Sequence, residues 1–142
     1  LRRQRQMCIR DSSGGRTGHI EAVKVYYDSA KTNYGRLLAA FWPMIDPLTS
    51  NGQFCDMGSQ YRSAIFYATE AQRQQAQVSL TALERSGRFD QPIATELLPA
   101  TEFYPAEAYH QDYYLKNPLR YRFYRSRCGR DKRLAELWPQ QK

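Results

Sequence analysis

Between residues 18 and 100 the apolar positions switch between a period of two and a helical period. In GHIEAVKVYYD, residues 18–28, His19, Glu21, Val23, Val25 and Tyr27 share one face, and Ile20, Ala22, Lys24 and Tyr26 the other. A strand over 19–27 follows, with Glu21 on its more apolar face. Tyr34, Leu37, Leu38, Phe41 and Trp42 then predict a helix over about 34–42, ended by Pro43 and Pro47. Residues 46–60, DPLTSNGQFCDMGSQ, form a long loop rich in turn formers. YRSAIFYAT, 61–69, reads as a second strand. Thr69 and Gln72 have capping-box spacing for a helix over about 70–86, with Ala76, Leu80 and Leu83 as its buried stripe and Gly87 as its stop. IATELLPA, 93–100, is a third strand; a helix is expected over 105–115 and a small docked one in DKRLAELW. Residues 1–13 show neither period and read as disordered. Strands alternating with helices imply a sheet with helices packed on it, an α+β or α/β sandwich.

Composition narrows the class. The 142 residues fit one domain, and 42% hydrophobic with 25% charged is a globular profile. No run approaches the roughly 18 apolar residues of a membrane span, and the arginine-rich start lacks the apolar centre of a secretory signal. Three cysteines, Cys8, Cys55 and Cys128, are too few and too scattered for a disulfide scaffold, and point to a reducing compartment, the cytoplasm, with free or catalytic thiols. The net charge of +7 raises a nucleic-acid reading. The excess, however, sits in Arg2, Arg3, Arg5 and Arg10 and in the cluster from Arg120 to Arg133. There LRYRFYRSRCGR, 119–130, interleaves arginine with aromatics. A basic single-strand-binding module is one reading; a strand or extended segment with a wet arginine face is favoured.

Candidate chemistry is sparse. GGRTG lacks the Lys-Ser or Lys-Thr of a P-loop. HIE at 19–21 lacks the P-C-x-x-C that would complete a zinc deaminase, and two distant histidines argue against a metal site. Glu21 is either an edge-strand carboxylate reaching water or an acid held protonated by desolvation. Asp56, Ser59 and Tyr61 are either turn and core residues or a carboxylate and a phenol beside a pocket. His110 and its aromatic neighbours read as a core or docking segment. Cys128, between Arg127 and Arg130, has a cationic setting that favours thiolate.

Four segments, in order, resemble the A-type peptide methionine sulfoxide reductases: TGHIEAVKV; DPLTSNGQFCDMGSQYRSAIFY; FYPAEAYHQDYYLKNP; and CGRDKRLAELW. The resemblance covers the chain from about residue 13. It implies a two-layer α/β sandwich related to the ferredoxin-like fold. It also implies reduction of methionine S-sulfoxide, free or in proteins, by a cysteine thiolate, with thioredoxin as reductant and no cofactor. Glu21 matches the family's protonated acid, Tyr61 the phenol that binds the sulfoxide oxygen, and Asp56 the carboxylate of the same loop. Tyr113 and Tyr121 match aromatics near the substrate. Cys128 is the candidate resolving thiol, with Cys55 as second choice and otherwise a buried structural thiol. The resulting picture brings Glu21 and Tyr61 together on two neighbouring strands. The expected protein is a monomer that binds thioredoxin and oxidised proteins, and neither nucleic acid nor membrane.

The chain departs from the family where the attack begins. G-C-F-W, which carries the nucleophile and the pocket for the substrate methyl group, is absent, as are the first strand and its helix. Cys8 has no Phe-Trp after it and does not inherit the role. QRQMCIRDS, 4–12, resembles translated adapter read-through, so residues 1–12 are read as non-family sequence and 13–142 as a partial domain whose gene extends upstream. The expectation is an enzyme by family that is inactive as this chain, with a catalytically dead sulfoxide-binding member as the alternative.

Overall fold

A computed structural model of the protein describes residues 2–6, 20, 22–101, 103 and 118–139. Its centre is built from the two helices with readable stripes. Asn33 opens α1 (Tyr34–Phe41): its side-chain oxygen accepts the Arg36 N–H at 2.9 Å, one of the donors that a helix start leaves unpaired. A single 3-10 turn, Trp42–Met44, continues it, with Pro43 in the first turn, where a missing N–H costs nothing. Thr69 caps α2 (Glu70–Arg85) by accepting the Gln72 N–H at 3.2 Å. The Gln72 side chain reaches back to the Ala68 N–H at 2.7 Å, one residue before the position a reciprocal capping box uses.

Strand β5 (Ala64–Tyr67) runs parallel to β6 (Glu96–Pro99), in register from Ala64 opposite Glu96 to Tyr67 opposite Pro99. Parallel neighbours need a crossover, and α2 supplies it. Bonds from Glu96 N–H to Ser63 O (3.1 Å) and from Ala100 N–H to Tyr67 O (2.8 Å) extend the pairing at both ends. The hydroxyls of Ser63 and Thr95, both buried, satisfy one another at 2.8 Å. Helices α1 and α2 pack together and α2 covers both strands. Leu38, Trp42, Ile65 and Ala76 form the buried cluster, flanked by Tyr34, Phe41, Leu80, Leu83 and Leu97. Trp42 is kept whole there because its indole N–H donates to Ser79 Oγ at 2.8 Å. The Tyr34 phenol donates to Phe66 O at 3.2 Å; burial, and next the neighbouring Tyr27, push its pKa above the ordinary value.

The other elements are small. Strand β1 (Arg2–Gln6), in a segment where no strand period is visible, pairs antiparallel with β2 (Ala22–Tyr26). Within the loop expected over 46–60 lies a hairpin, β3 (Gly52–Gln53) and β4 (Asp56–Met57), followed by a 3-10 turn, Ser59–Tyr61. At the C-terminal end are helices α3 (Pro118–Arg127) and α4 (Arg130–Leu137). The extended segment expected over 119–130 is therefore corrected to a helix. The helix expected over 105–115 lies outside the described residues. Tyr61, expected at the start of a strand, instead ends a 3-10 turn before β5, and Glu21 lies outside the described residues.

Candidate functional site

The hairpin turn, Phe54-Cys55, is the centre of the arrangement. Gly52 lets its strands close: a Cβ there would lie 2.5 Å from Asp56 O. Phe54 takes φ 55°, a positive value at the first loop position, as primed hairpin turns require. A bulky residue holds that conformation at a cost of about 1–2 kcal/mol, and the Arg130 guanidinium lies over its ring, 4.3 Å from the centroid. Gly58 N–H donates to Asn51 O at 2.8 Å and closes the far side of the loop. The 3-10 turn packs against both hairpin strands and so sets Tyr61 beside Asp56's strand.

Helix α3 meets this hairpin through its own side chains. Cys128, just past the helix end, forms a disulfide with Cys55, 73 residues away in sequence, with the Cα atoms 5.2 Å apart. The Tyr124 phenol, one turn earlier, donates to Asp56 Oδ1. Tyr121 lies one turn from Arg125, whose Nη1 donates to its hydroxyl at 3.2 Å. Arg125 is also paired with Asp131, which raises the guanidinium's pKa and lowers the carboxyl's. Asp56, Cys128 and Tyr121 are thus gathered at one hairpin and one helix, with Tyr61 entering from the adjoining turn. Glu21 and Tyr113 lie outside the described residues. The reading of Cys55 as a buried free thiol is corrected: it is exposed and bonded to Cys128.

Helix α4 is pinned independently. Arg133 Nε donates to Asp46 Oδ2 at 3.0 Å, and Asp46 is only 4% exposed. The Leu48 N–H and the Thr49 hydroxyl, each at 2.9 Å, complete the carboxylate's shell. Burial pushes the Asp46 carboxyl upward. The Leu48 N–H, Arg133 and Thr49 together outweigh it and hold the carboxyl below its usual range. Gln53 ties the loop shut, accepting the Asp46 N–H at 2.9 Å and donating to Asp46 O at 2.7 Å. The Trp138 indole N–H donates to Ile45 O at 2.9 Å, and Arg130 Nη1 to Met44 O at 3.1 Å. Sequence reasoning missed Tyr124, Asp46, Arg133 and the Cys55–Cys128 pairing. Asp46 had a signal, the Asp-Pro that opens the loop; Tyr124 had none beyond its place one turn before a cysteine. Among the described residues no cluster of His, Cys, Asp or Glu is placed to hold a metal ion. No helix among them is long and apolar enough to cross a membrane.

Comparison with known proteins decides the family. Residues 5–142 match the family model of peptide methionine sulfoxide reductase. The chain belongs to that family, in its A-type branch. It is 48% identical to peptide methionine sulfoxide reductase MsrA of Halalkalibacterium halodurans, over 87% of this chain and 70% of that protein. To MsrA of Bacillus licheniformis it is 49% identical, over 86% of this chain and 67% of the relative. Among solved structures, methionine sulfoxide reductase A of Corynebacterium diphtheriae superposes with a TM-score of 0.69 at 33% identity, over 84% of this chain and 65% of that one. Mxr1 of Saccharomyces cerevisiae, in a crystal structure of the reduced form, gives 0.71 at 30% identity. The α+β fold expected from the motifs is therefore that of the A-type methionine sulfoxide reductases, and the chain spans about two thirds of these relatives' length.

Proposed function

We propose that the protein's chemistry is thiol-dependent reduction of methionine S-sulfoxide, free or in proteins, with a dithiol protein of the thioredoxin type as reductant. The observation that carries this reading is the family match through residues 5–142, together with the meeting of Asp56's hairpin and Cys128's helix through the Cys55–Cys128 bond and the Tyr124–Asp56 hydrogen bond. In this reaction a thiolate attacks the sulfoxide sulfur, and the oxygen must gain protons before the S–O bond breaks. Glu21, which the resemblance makes the acid, supplies a proton, and the Tyr61 phenol donates a hydrogen bond to the oxygen as its charge grows. Methionine leaves and the attacking cysteine becomes a sulfenic acid. The Cys128 thiolate displaces its hydroxyl as water, and the disulfide so formed is returned to thiols by two electrons and two protons from the reductant. Tyr113 and Tyr121 are the aromatics that the resemblance assigns to the substrate's side chain.

The attacking thiol is not supplied by these residues. G-C-F-W is absent and Cys8 lacks the Phe-Trp pocket. The 142-residue polypeptide should therefore give no turnover of the S epimer with dithiothreitol, measured as methionine released. Joined to a family N-terminal segment carrying G-C-F-W, it should turn over the S epimer and not the R epimer. Tyr61→Phe in that fusion should lower kcat by about 10- to 100-fold, and Cys128→Ser should leave one turnover and no thioredoxin-driven second. Activity of the unextended chain that disappears in Cys8→Ser would overturn the assignment of the nucleophile; a fusion equally active on both epimers would overturn the substrate. Three cations of the basic cluster weaken the nucleic-acid reading, because Arg125, Arg130 and Arg133 are engaged with Asp131, with Phe54 and Met44 O, and with Asp46.

A further inference from the structure

Phe54, at the tip of the hairpin that carries Asp56, sits at φ 55°, where a Cβ crowds the following carbonyl oxygen and glycine would not. The same loop places glycine at two further positive-φ positions, Gly52 at 154° and Gly58 at 127°. A phenylalanine at 54 is therefore there for its ring, and the ring meets Arg130. The guanidinium carbon lies 4.3 Å from the ring centroid, well inside the roughly 6 Å reach of a cation–π contact. The guanidinium is itself fixed. Arg130 opens α4, and its Nη1 donates to Met44 O at 3.1 Å. One turn on, Arg133 donates to the buried Asp46 at 3.0 Å, and just past the end of the helix the Trp138 indole donates to Ile45 O at 2.9 Å. The cation that meets the tip thus stands on a docked helix.

We propose that Arg130 is a positioning residue: stacked on Phe54 and bonded to Met44 O, it seats the hairpin tip on α4 and so sets the direction of Asp56, two residues further on. The proposal rests on the sulfoxide reading for the use made of Asp56; the placement itself concerns this chain alone. A guanidinium can make both contacts at once, its face on the ring and an edge N–H on the carbonyl, whereas an ammonium has no face to stack. Other bonds hold other parts of the hairpin. Gln53 is tied to the Asp46 backbone by two hydrogen bonds, and Gly58 N–H donates to Asn51 O. Tyr124 donates to the Asp56 carboxylate itself. The Cys55–Cys128 bond joins the same tip to the turn before α4. It fixes a separation, while the ring on the guanidinium fixes how the tip is turned. Without that contact the strained φ at 54 relaxes, the peptide planes leading into β4 rotate, and Asp56 turns with them.

Carbon NMR and urea unfolding of the intact chain test it, in wild type, Arg130→Met, Phe54→Leu and the two together. The carboxyl resonance of Asp56, from chains carrying isotope-labelled aspartate and identified by its loss in Asp56→Asn, should move by more than its width in either single variant, and no further in the double. Arg130→Lys keeps the charge without the stack and should shift the resonance as Arg130→Met does. In unfolding, the two single losses should overlap, so that the double variant's unfolding constant rises about fivefold less than the product of the singles. Leu80→Ala, which loosens the scaffold beside the core cluster, should lower stability and leave the Asp56 resonance in place. Phe54→Leu alters only the ring and carries the test if Arg130→Met does not fold. An unmoved Asp56 resonance in the single variants, losses that multiply without overlap, or rescue of the resonance by lysine would overturn the proposal. A shift of equal size in Leu80→Ala would do the same, since it would report general loosening. Failure of the sulfoxide reading alone, seen as a fusion that accepts both epimers, would leave these shifts as they are.

Discussion

Leu38, Trp42, Ile65 and Ala76 meet with at most 7% of any one residue exposed, and their helices are closed by caps at Asn33 and Thr69. Helix α3, by contrast, buries none of its residues and is tied to the hairpin by a sulfur–sulfur bond and a phenol. The first region is held by apolar burial, at about 1.5–3 kcal/mol for each large side chain. Such burial neither titrates nor exchanges with thiols. The second region is held by groups that ionise, exchange or oxidise, so solution conditions can address it while the first stays folded. The putting together of a candidate site on the responsive side, against a scaffold that does not respond, is what the contrast teaches. Perturbing each side should therefore give different signatures as well as different magnitudes.

The largest effect is expected in the scaffold. Trp42→Ala removes a side chain that is 5% exposed, strands the Ser79 hydroxyl and leaves a cavity between α1 and α2. It should cost about 3–5 kcal/mol, read from urea unfolding followed by circular dichroism. The loss should be the same with and without dithiothreitol. A loss that doubles on reduction would mean that the two regions are not separate.

An intermediate effect is expected where α4 meets the loop. Arg133→Met leaves the Asp46 carboxylate buried and short of a partner, which should cost about 2 kcal/mol at pH 7, less than a fully buried pair because the arginine is 41% exposed. The pH dependence has a fixed sign. Asp46 has a folded-state pKa below its unfolded value, so its stabilisation is complete above the unfolded value, about 4, and is lost as pH falls through the folded one. The gap between wild type and Arg133→Met should therefore narrow between neutral pH and about pH 3. A gap that widens in acid would place the carboxylate's proton on the wrong side of the linkage.

The same contrast explains what could be read before the fold was known. Tyr34, Leu38, Phe41 and Trp42 in α1, and Ala76, Leu80 and Leu83 in α2, face one core, so burial wrote a helical period into the sequence. Helix α3 has no such face. Its period is invisible, and arginines alternating with aromatics read as an extended segment. What marks it as a helix is subtler: Pro118 at its start and Arg125 and Arg127 in its last turn, where cations suit the helix dipole. The hairpin strands, two residues each, are too short to show alternation. Asp56, Tyr61 and Cys128 were proposed through a motif, but the pairing of Cys55 with Cys128 joins positions 73 residues apart, which no local pattern encodes.

The smallest effect sharpens the comparison by keeping the chemistry and changing only the burial. Arg62 Nε pairs with Glu96 at 2.6 Å, an arginine–carboxylate contact like that of Arg133 with Asp46. Here, however, the carboxylate side chain is 47% exposed rather than 5%, so water already solvates much of it while it is paired and removing its charge loses little. Glu96→Gln should therefore cost less than about 1 kcal/mol, and what it costs should shrink further in high salt. Arg62 keeps its second contact, from Nη1 to Ser59 O at 2.9 Å, so the turn that carries Tyr61 should hold its place. Urea unfolding of Glu96→Gln beside Arg133→Met at low and high salt checks both statements. A loss at Glu96 equal to that at Arg133 would mean that the geometry of the pair, and not its removal from water, sets the energy, and the distinction between the two regions would have to be drawn on other grounds.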